Sequence, residues 1–208
     1  TTIPIQQYFK FKTGKLNHYY LIGQKYKYSI AVIKDKTETV HLENNEYKLK
    51  EVLHFKELLE EVDFNQNVQI VPYKSPRYID KRYFKHPIYK YDVYLISHPL
   101  MKTHSYLIIR EIDVNGSKLG RIVDYIGDEK YLAFIGISLK RLISEKEYEY
   151  LDFYNIGIEE KVLLAAGFKL RDNEDLNVIP NYFEPFVQQN VDIYYHIANE
   201  SCRICKAD

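Results

Sequence analysis

Three carboxylates stand where chemistry could use them. Asp124, in "GRIVDYIG", shares an alternating strand face with Ile122 and Ile126. Desolvation among apolar neighbours raises a carboxylate's pKa towards the range of a general base. The competing reading is an ion pair with Arg121, Arg110 or a backbone amide. Asp152, in "YEYLDFY", falls on the face of Tyr148, Tyr150 and Tyr154. If the strands of Asp124 and Asp152 are neighbours, the two acids approach and one raises the pKa of the other. Otherwise tyrosine hydroxyls satisfy Asp152. Glu184, in "NYFEPF", lies among aromatics, Tyr182 included, where a sugar ring could stack; the alternative is a strand-edge residue facing water.

Other chemistries find fewer residues. Cys202 and Cys205 form one C-x-x-C, "CRIC", with His196 as the single nearby third ligand. A structural zinc site wants four ligands, so no metal is expected and the thiols read as a frayed terminus. No Ser, His and Asp set, P-loop or paired-glycine loop is visible, which leaves hydrolase and kinase readings without residues. His86 and His98 each precede proline and are held to extended geometry. The stretch "SPRYIDKRYFKHPIYKY", 75 to 91, interleaves basic and aromatic residues in a pattern able to stack bases. Yet Lys plus Arg and Asp plus Glu each total 29, so no global field draws nucleic acid or an anionic membrane. A packed surface helix or a local phosphate contact is expected there instead.

A chain of 208 residues with 46% hydrophobic content can bury a substantial core. No apolar run reaches the ~18 residues of a spanning helix, and "TTIPIQQYFKFK" lacks the apolar core of a signal peptide, so a cytoplasmic location is expected. Residue 1 is Thr and the single Met is Met101, so an upstream segment is expected to be missing.

The elements that must position these residues follow from periodicity. Apolar runs over 17 to 42, broken at Gly23 and at "KDKTE", predict a small β-meander and a unit over 1–45. Asn44 and Asn45 can cap a helix in which Leu49, Val52, Leu53, Leu59 and Val62 recur, so an amphipathic helix is predicted over 46 to 62. Strands follow at 91–97, 105–114 and 118–126, the last two joined by Asn115-Gly116, a strong hairpin signal. Asp128 caps a helix over 129–145; then come a strand at 148–154, a short helix at 158–166 closed by Gly167, and two terminal strands. The fold class is α+β: a mixed, mostly antiparallel sheet with helices on both faces, over 46–208.

In "FYNIGIEEKVLLAAGF" a strand ends at Asn155 and a helix ends at Gly167-Phe168. With the element order, this resembles the GNAT superfamily of acyl-CoA-dependent N-acyltransferases. "RIVDYIG", "EYLDFY" and "NYFEPF" resemble the larger GNAT-like proteins of bacterial surface-polysaccharide clusters, whose preceding half the 1–45 unit would then end. The resemblance implies a strand splayed from its neighbour, with a gap that admits the pantetheine arm of acyl-CoA beside Asn155. It implies a pyrophosphate contact at Ile126, Gly127, Asp128 and Lys130, in "DYIGDEKYL". Two departures stand out. That loop carries one glycine and two acids, where the family places spaced glycines. The position of the usual tyrosine general acid is Leu163, leaving Tyr154 as a stand-in, and the spacing from Asn155 to Phe168 is one residue longer than the common pattern.

The function implied is transfer of an acyl group from acetyl-CoA or another acyl-CoA to a small-molecule amine, such as an amino sugar or nucleotide-linked sugar. Asp124 would be the base, Tyr154 the acid, Asp152 an auxiliary carboxylate, and Glu184 and Tyr182 substrate contacts. A homodimer is compatible, and neither nucleic acid nor membrane is expected as a partner. The alternatives are a catalytically inactive GNAT-like binding or assembly module and a tRNA-dependent aminoacyl transferase, against which the neutral charge argues.

Overall fold

The structure is a computed structural model and describes residues 3–37, 46–67, 71–197 and 202–206. Helix α1 is Ile3–Tyr8, followed by strands β1 (Lys12–Lys15) and β2 (Asn17–Ile22). Next come β3 (Lys48–Val52), α2 (Phe55–Glu61) and α3 (Pro76–Ile79), which runs into a π-helical turn over Asp80–Phe84. Strands β4 (Asp92–Ser97), β5 (Lys102–Val114) and β6 (Ser117–Ile126) lead into a 3-10 turn at Glu129–Phe134 and helix α4 (Gly136–Glu145). Strand β7 (Tyr148–Ile156), α5 (Glu160–Ala165) and β8 (Lys169–Leu170) follow. Four short strands follow among the described residues: β9 (Tyr182–Phe183), β10 (Phe186–Val187), β11 (Tyr194–Ile197) and β12 (Ile204–Cys205).

The main sheet runs β3-β4-β5-β6-β7-β2-β8, with β12 also paired to β7. All of its pairings are antiparallel except β6 with β7. This is the expected mixed, mostly antiparallel α+β sheet. One face packs on α4 and α5 through Leu107, Ile109, Ile122, Leu139, Leu151, Phe153, Leu163 and Phe168. The other face carries two clusters, one under α2 and α3 around Leu58, Ile79, Tyr83, Tyr106 and Ile108, and one around Tyr20, Ile30, Leu119, Tyr150 and Ile179.

Local chemistry explains the expected features that form. Asn115 and Gly116 take positive φ (55° and 84°) in the β5–β6 hairpin, and the Gly116 amide donates to Asp113 Oδ1 at 2.9 Å. At the end of α5, Gly167 takes φ +89°; its amide donates to Leu164 O at 2.9 Å and the Phe168 amide to Leu163 O at 3.0 Å. These are the paired bonds of a Schellman helix stop, with Phe168 fully buried as its apolar seal.

Three expectations are corrected. The helix predicted over 46–62 is a strand, β3, followed by α2, which begins only after His54. Lys48–Val52 pairs with the edge of β4, which supplies backbone partners a surface helix would not need, and Leu53 and Leu59 end up 68% and 47% exposed. Over its described part, 17–37, the expected meander is one strand, β2, and a loop; residues 38–45, including the proposed caps Asn44 and Asn45, lie outside the described residues. The loop needs no ladder at 29–31, because the amides of Ser29, Ile30 and Ala31 donate to the buried Glu149 carboxylate at 2.6, 2.8 and 3.0 Å. Strand β2 lies between β7 and β8, so the main sheet crosses the boundary expected at 45/46. Finally, the segment holding Cys202 and Cys205 is not frayed: Cys202 bridges to Val71, and Cys205 lies in β12.

Candidate functional site

The sheet divides at its one parallel junction. Strands β6 and β7 pair as far as Ile122↔Phe153. Beyond that point β6 stays with β5 to Ile126, and β7 stays with β2 to Asn155. Val123 is the cause on the β6 side. The register with β5 steps from Ile109↔Ile122 to Ile108↔Asp124, leaving Val123 as the extra residue of a β-bulge, which bends and twists a strand. The result is a wedge between the ends of β6 and β7.

The bulge also turns Asp124. Ile122 and Tyr125 pack on the α4–α5 face, whereas Val123 and Ile126 pack under α2 and α3. Asp124 therefore shares a face with Ile126 but not with Ile122, and the expected alternation breaks at one residue. Its Oδ1 pairs with the Lys74 ammonium and accepts from the Tyr125 amide at 2.9 Å, while Oδ2 accepts from the Tyr83 hydroxyl at 2.6 Å. Burial and the negative charge of Asp124 hold the Tyr83 phenol far above its ordinary pKa. Of the partners weighed for Asp124, the backbone amide is found at Tyr125, Arg121 is committed elsewhere, and Arg110 stacks on Tyr89 at 3.9 Å.

Arg121 belongs to Asp152. Its Nε and Nη2 donate to Asp152 Oδ1 and Oδ2 at 2.9 and 2.6 Å, a bidentate pair with both side chains fully or almost fully buried. His18 Nε2 stands 3.4 Å from Oδ2, and His18 Nδ1 accepts from Arg171 Nε at 2.9 Å. Burial lowers the His18 pKa to about 4, which keeps the ring neutral with its proton on Nε2. Burial pushes the Asp152 carboxyl up, but Arg121 and His18 outweigh it and hold the pKa at about 2. Each acid takes its own cation, and among the described residues no tyrosine hydroxyl bonds Asp152. A register shift between Tyr148 and Leu151 further sends Tyr148 to the α4–α5 face, away from Tyr150.

Tyr154 stacks on His18, with centroids 3.8 Å apart, and its hydroxyl donates to Val191 O at 3.3 Å. Burial pushes that phenol well above its ordinary pKa, and in this arrangement its proton is engaged by a backbone carbonyl. Glu184 stands in the exposed turn between β9 and β10, and Tyr182 is 50% exposed beside it.

The expected pyrophosphate loop is already satisfied by the chain. Ile126 is buried. Gly127 turns the backbone at φ +118°, and its carbonyl accepts from Arg203 Nη1 at 2.7 Å. The Asp128 amide donates to Ser105 Oγ at 3.1 Å, the Lys130 amide to Asp128 Oδ1 at 3.1 Å, and Lys130 Nζ pairs with Asp128 Oδ2 at 2.7 Å. Asn155, at the mouth of the wedge, has both side-chain polar atoms buried without a hydrogen-bond partner among the described residues. Such orphaned amides are rare and mark a place a ligand can complete.

Strand β12 lies in the wedge itself. It pairs antiparallel with β7 through Ile204↔Ile156 and Cys205↔Asn155, on the edge left free by β2. The Lys206 amide continues the ladder to Tyr154 O at 2.9 Å. On the β6 side half-buried Cys205 packs against the α4–α5-face core near the Tyr125 amide, and burial pushes its pKa up to about 12. In this conformation the wedge does not accept a pantetheine arm. Lys74, Tyr83, His18, Arg171 and Arg203 were all missed from sequence. Only Arg203 had a readable signal, a lone cation between two cysteines to set against the acids of "GDEK".

A cavity of about 430 Å³ opens at the other end of β2, lined by Lys25, Lys36, Lys140 and Lys169 over Tyr20, Leu21 and Ile22. It is separate from the wedge, because Ile22 faces Tyr150 near the start of β7.

No protein-family model matches the chain, and no curated protein matches it. Among solved structures, the chain is similar to the GCN5-related N-acetyltransferase from Anabaena variabilis ATCC 29413, with a TM-score of 0.45 and 14% identity over 81% of this chain. The chain spans 41% of the length of that structure.

Proposed function

We propose that the chain is an N-acyltransferase of the GNAT kind, which moves an acyl group from acyl-CoA to a small amine at the wedge between β6 and β7. The observation that carries this reading is the parallel strand pair that diverges after Ile122 and Phe153, with the orphaned Asn155 amide at the opening. Asn155 would meet the cofactor once β12 has left, the Asp128 and Lys130 amides would exchange Ser105 and the Asp128 carboxylate for its pyrophosphate, and the cofactor would supply the acyl group as a thioester. An acceptor ammonium must lose a proton before its nitrogen can attack. Asp124, with Lys74 and Tyr83, is the titratable cluster beside the wedge and would receive that proton.

A second reading is a non-catalytic binding module. The engaged Tyr154 hydroxyl, Leu163 at the tyrosine position and the self-satisfied Gly127 loop favour it.

Thermal unfolding with and without saturating acetyl-CoA separates the two. Selective binding to the native state at ~100 times the dissociation constant adds about 2.7 kcal/mol, which raises the midpoint by roughly 5–10 °C for a chain of this size. Under the acyltransferase reading Asp124→Asn keeps that rise and loses transfer. No rise in the folded protein removes the reading in favour of the module.

A further inference from the structure

The acids at the mouth of the wedge repel a diphosphate, yet they have a partner within the chain. Arg203 Nη1 donates to Gly127 O at 2.7 Å, Nη2 lies 3.6 Å from Glu129 Oε2, and the guanidinium sits over the Tyr125 ring at 5.6 Å. The segment around Arg203 is held on every side. The Arg203 amide donates to Val71 O at 2.8 Å, β12 pairs with β7, the Lys206 amide donates to Tyr154 O, and Lys206 Nζ bonds Asn181 Oδ1. The backbone approach is close. A Cβ on Gly157 would lie 2.5 Å from Cys202 O and 3.0 Å from Arg203 Cα, so only glycine admits the segment at this turn. Unpaired strand edges recruit extended segments, and the free edge of β7 beyond Phe153 is such an edge.

We propose that the segment Cys202–Lys206 is a resident plug of the wedge, bound by strand pairing to β7 and by Arg203 at the Gly127–Glu129 loop, and that a ligand of the wedge enters only as the plug leaves. The inference deepens the acyltransferase reading and rests on it for the identity of the ligand. It gives the acidic loop a role, as the seat of Arg203. It also makes ligand affinity a function of plug occupancy, since an apparent dissociation constant rises in inverse proportion to the fraction of open protein.

Cys205 reports the plug directly, because it is held in β12 against Asn155 and packs on the core beside Tyr125 and Phe153 when the segment is seated. In a Cys202→Ser chain it is the only thiol, and maleimide modification measures its release. Arg203→Glu places like charge against Glu129. It is expected to speed Cys205 modification at least tenfold with an unchanged far-ultraviolet circular dichroism spectrum, and to tighten acetyl-CoA binding by a similar factor. Saturating acetyl-CoA is expected to speed modification in the chain that keeps Arg203. Should Arg203→Glu not fold, Glu129→Gln loosens the same seat from the other side, with the same direction in both readouts. Modification unchanged in the loosened chain, or acetyl-CoA binding that leaves the Cys205 rate untouched, overturns the plug. Faster modification with no acetyl-CoA binding overturns the acyltransferase reading and leaves the plug standing.

Discussion

At the scale of single residues, the buried ion network decides how this protein responds to pH. His18 has an ordinary pKa of 6.5 that burial lowers to about 4 in the fold. Between those values the unfolded chain binds a proton that the folded chain refuses, so stability present above pH 6.5 is lost as pH falls towards 4. His18→Gln, which can still accept from Arg171, is expected to flatten the unfolding midpoint over that window, as read by urea titrations at pH 7 and pH 4.5. Asp152 acts lower: its pKa of 3.8 falls to about 2, so its contribution is complete above pH 4 and disappears as pH drops through 2. Asp152→Asn leaves the buried Arg121 without its charge partner and is expected to cost about 3–5 kcal/mol in the same titration at pH 7. That Asp152 sits among tyrosines was legible in the sequence. That its partner is Arg121 was not, since 31 residues separate them and only the parallel register of β6 and β7 sets one opposite the other.

At the scale of elements, the helix stop at Gly167 was readable because all its determinants are local. The Ala-Ala-Gly-Phe order supplies a left-handed position and an apolar seal in adjacent residues, and the bonds to Leu163 and Leu164 follow. Gly167→Ala is expected to cost about 1–2 kcal/mol through its φ of +89°, seen as a lower thermal midpoint with unchanged circular dichroism. Strand β3 shows the opposite case. Leu49, Val52, Leu59 and Val62 satisfy helical spacing, but the open edge of β4 is a partner that local periodicity does not contain. The β-bulge at Val123 belongs to the same class: one extra residue, unmarked by glycine or proline, moves Asp124 to the other face and opens the wedge.

At the scale of the whole molecule, distant segments complete the sheet and the site. Strand β2 fills the place between β7 and β8, and β12 fills the wedge beside β6. A chain begun at residue 46 is expected to expose both β7 and β8 as bare edges and to aggregate, which size-exclusion chromatography would show directly. The amino-acid sequence by itself determined the hairpin at Asn115-Gly116, the Gly167 stop, the strand and helix order from 91 to 168 and the mostly antiparallel α+β class, because turn chemistry and side-chain period act within a few residues. Tertiary structure alone decided the placement of β2 and β12, the Lys74–Asp124 and Arg121–Asp152 pairs, and the meeting of Arg203 with the Gly127 loop. Those contacts depend on which strand edges and buried charges remain unsatisfied once the sheet has assembled, a property of the folded molecule that no short stretch of chain carries.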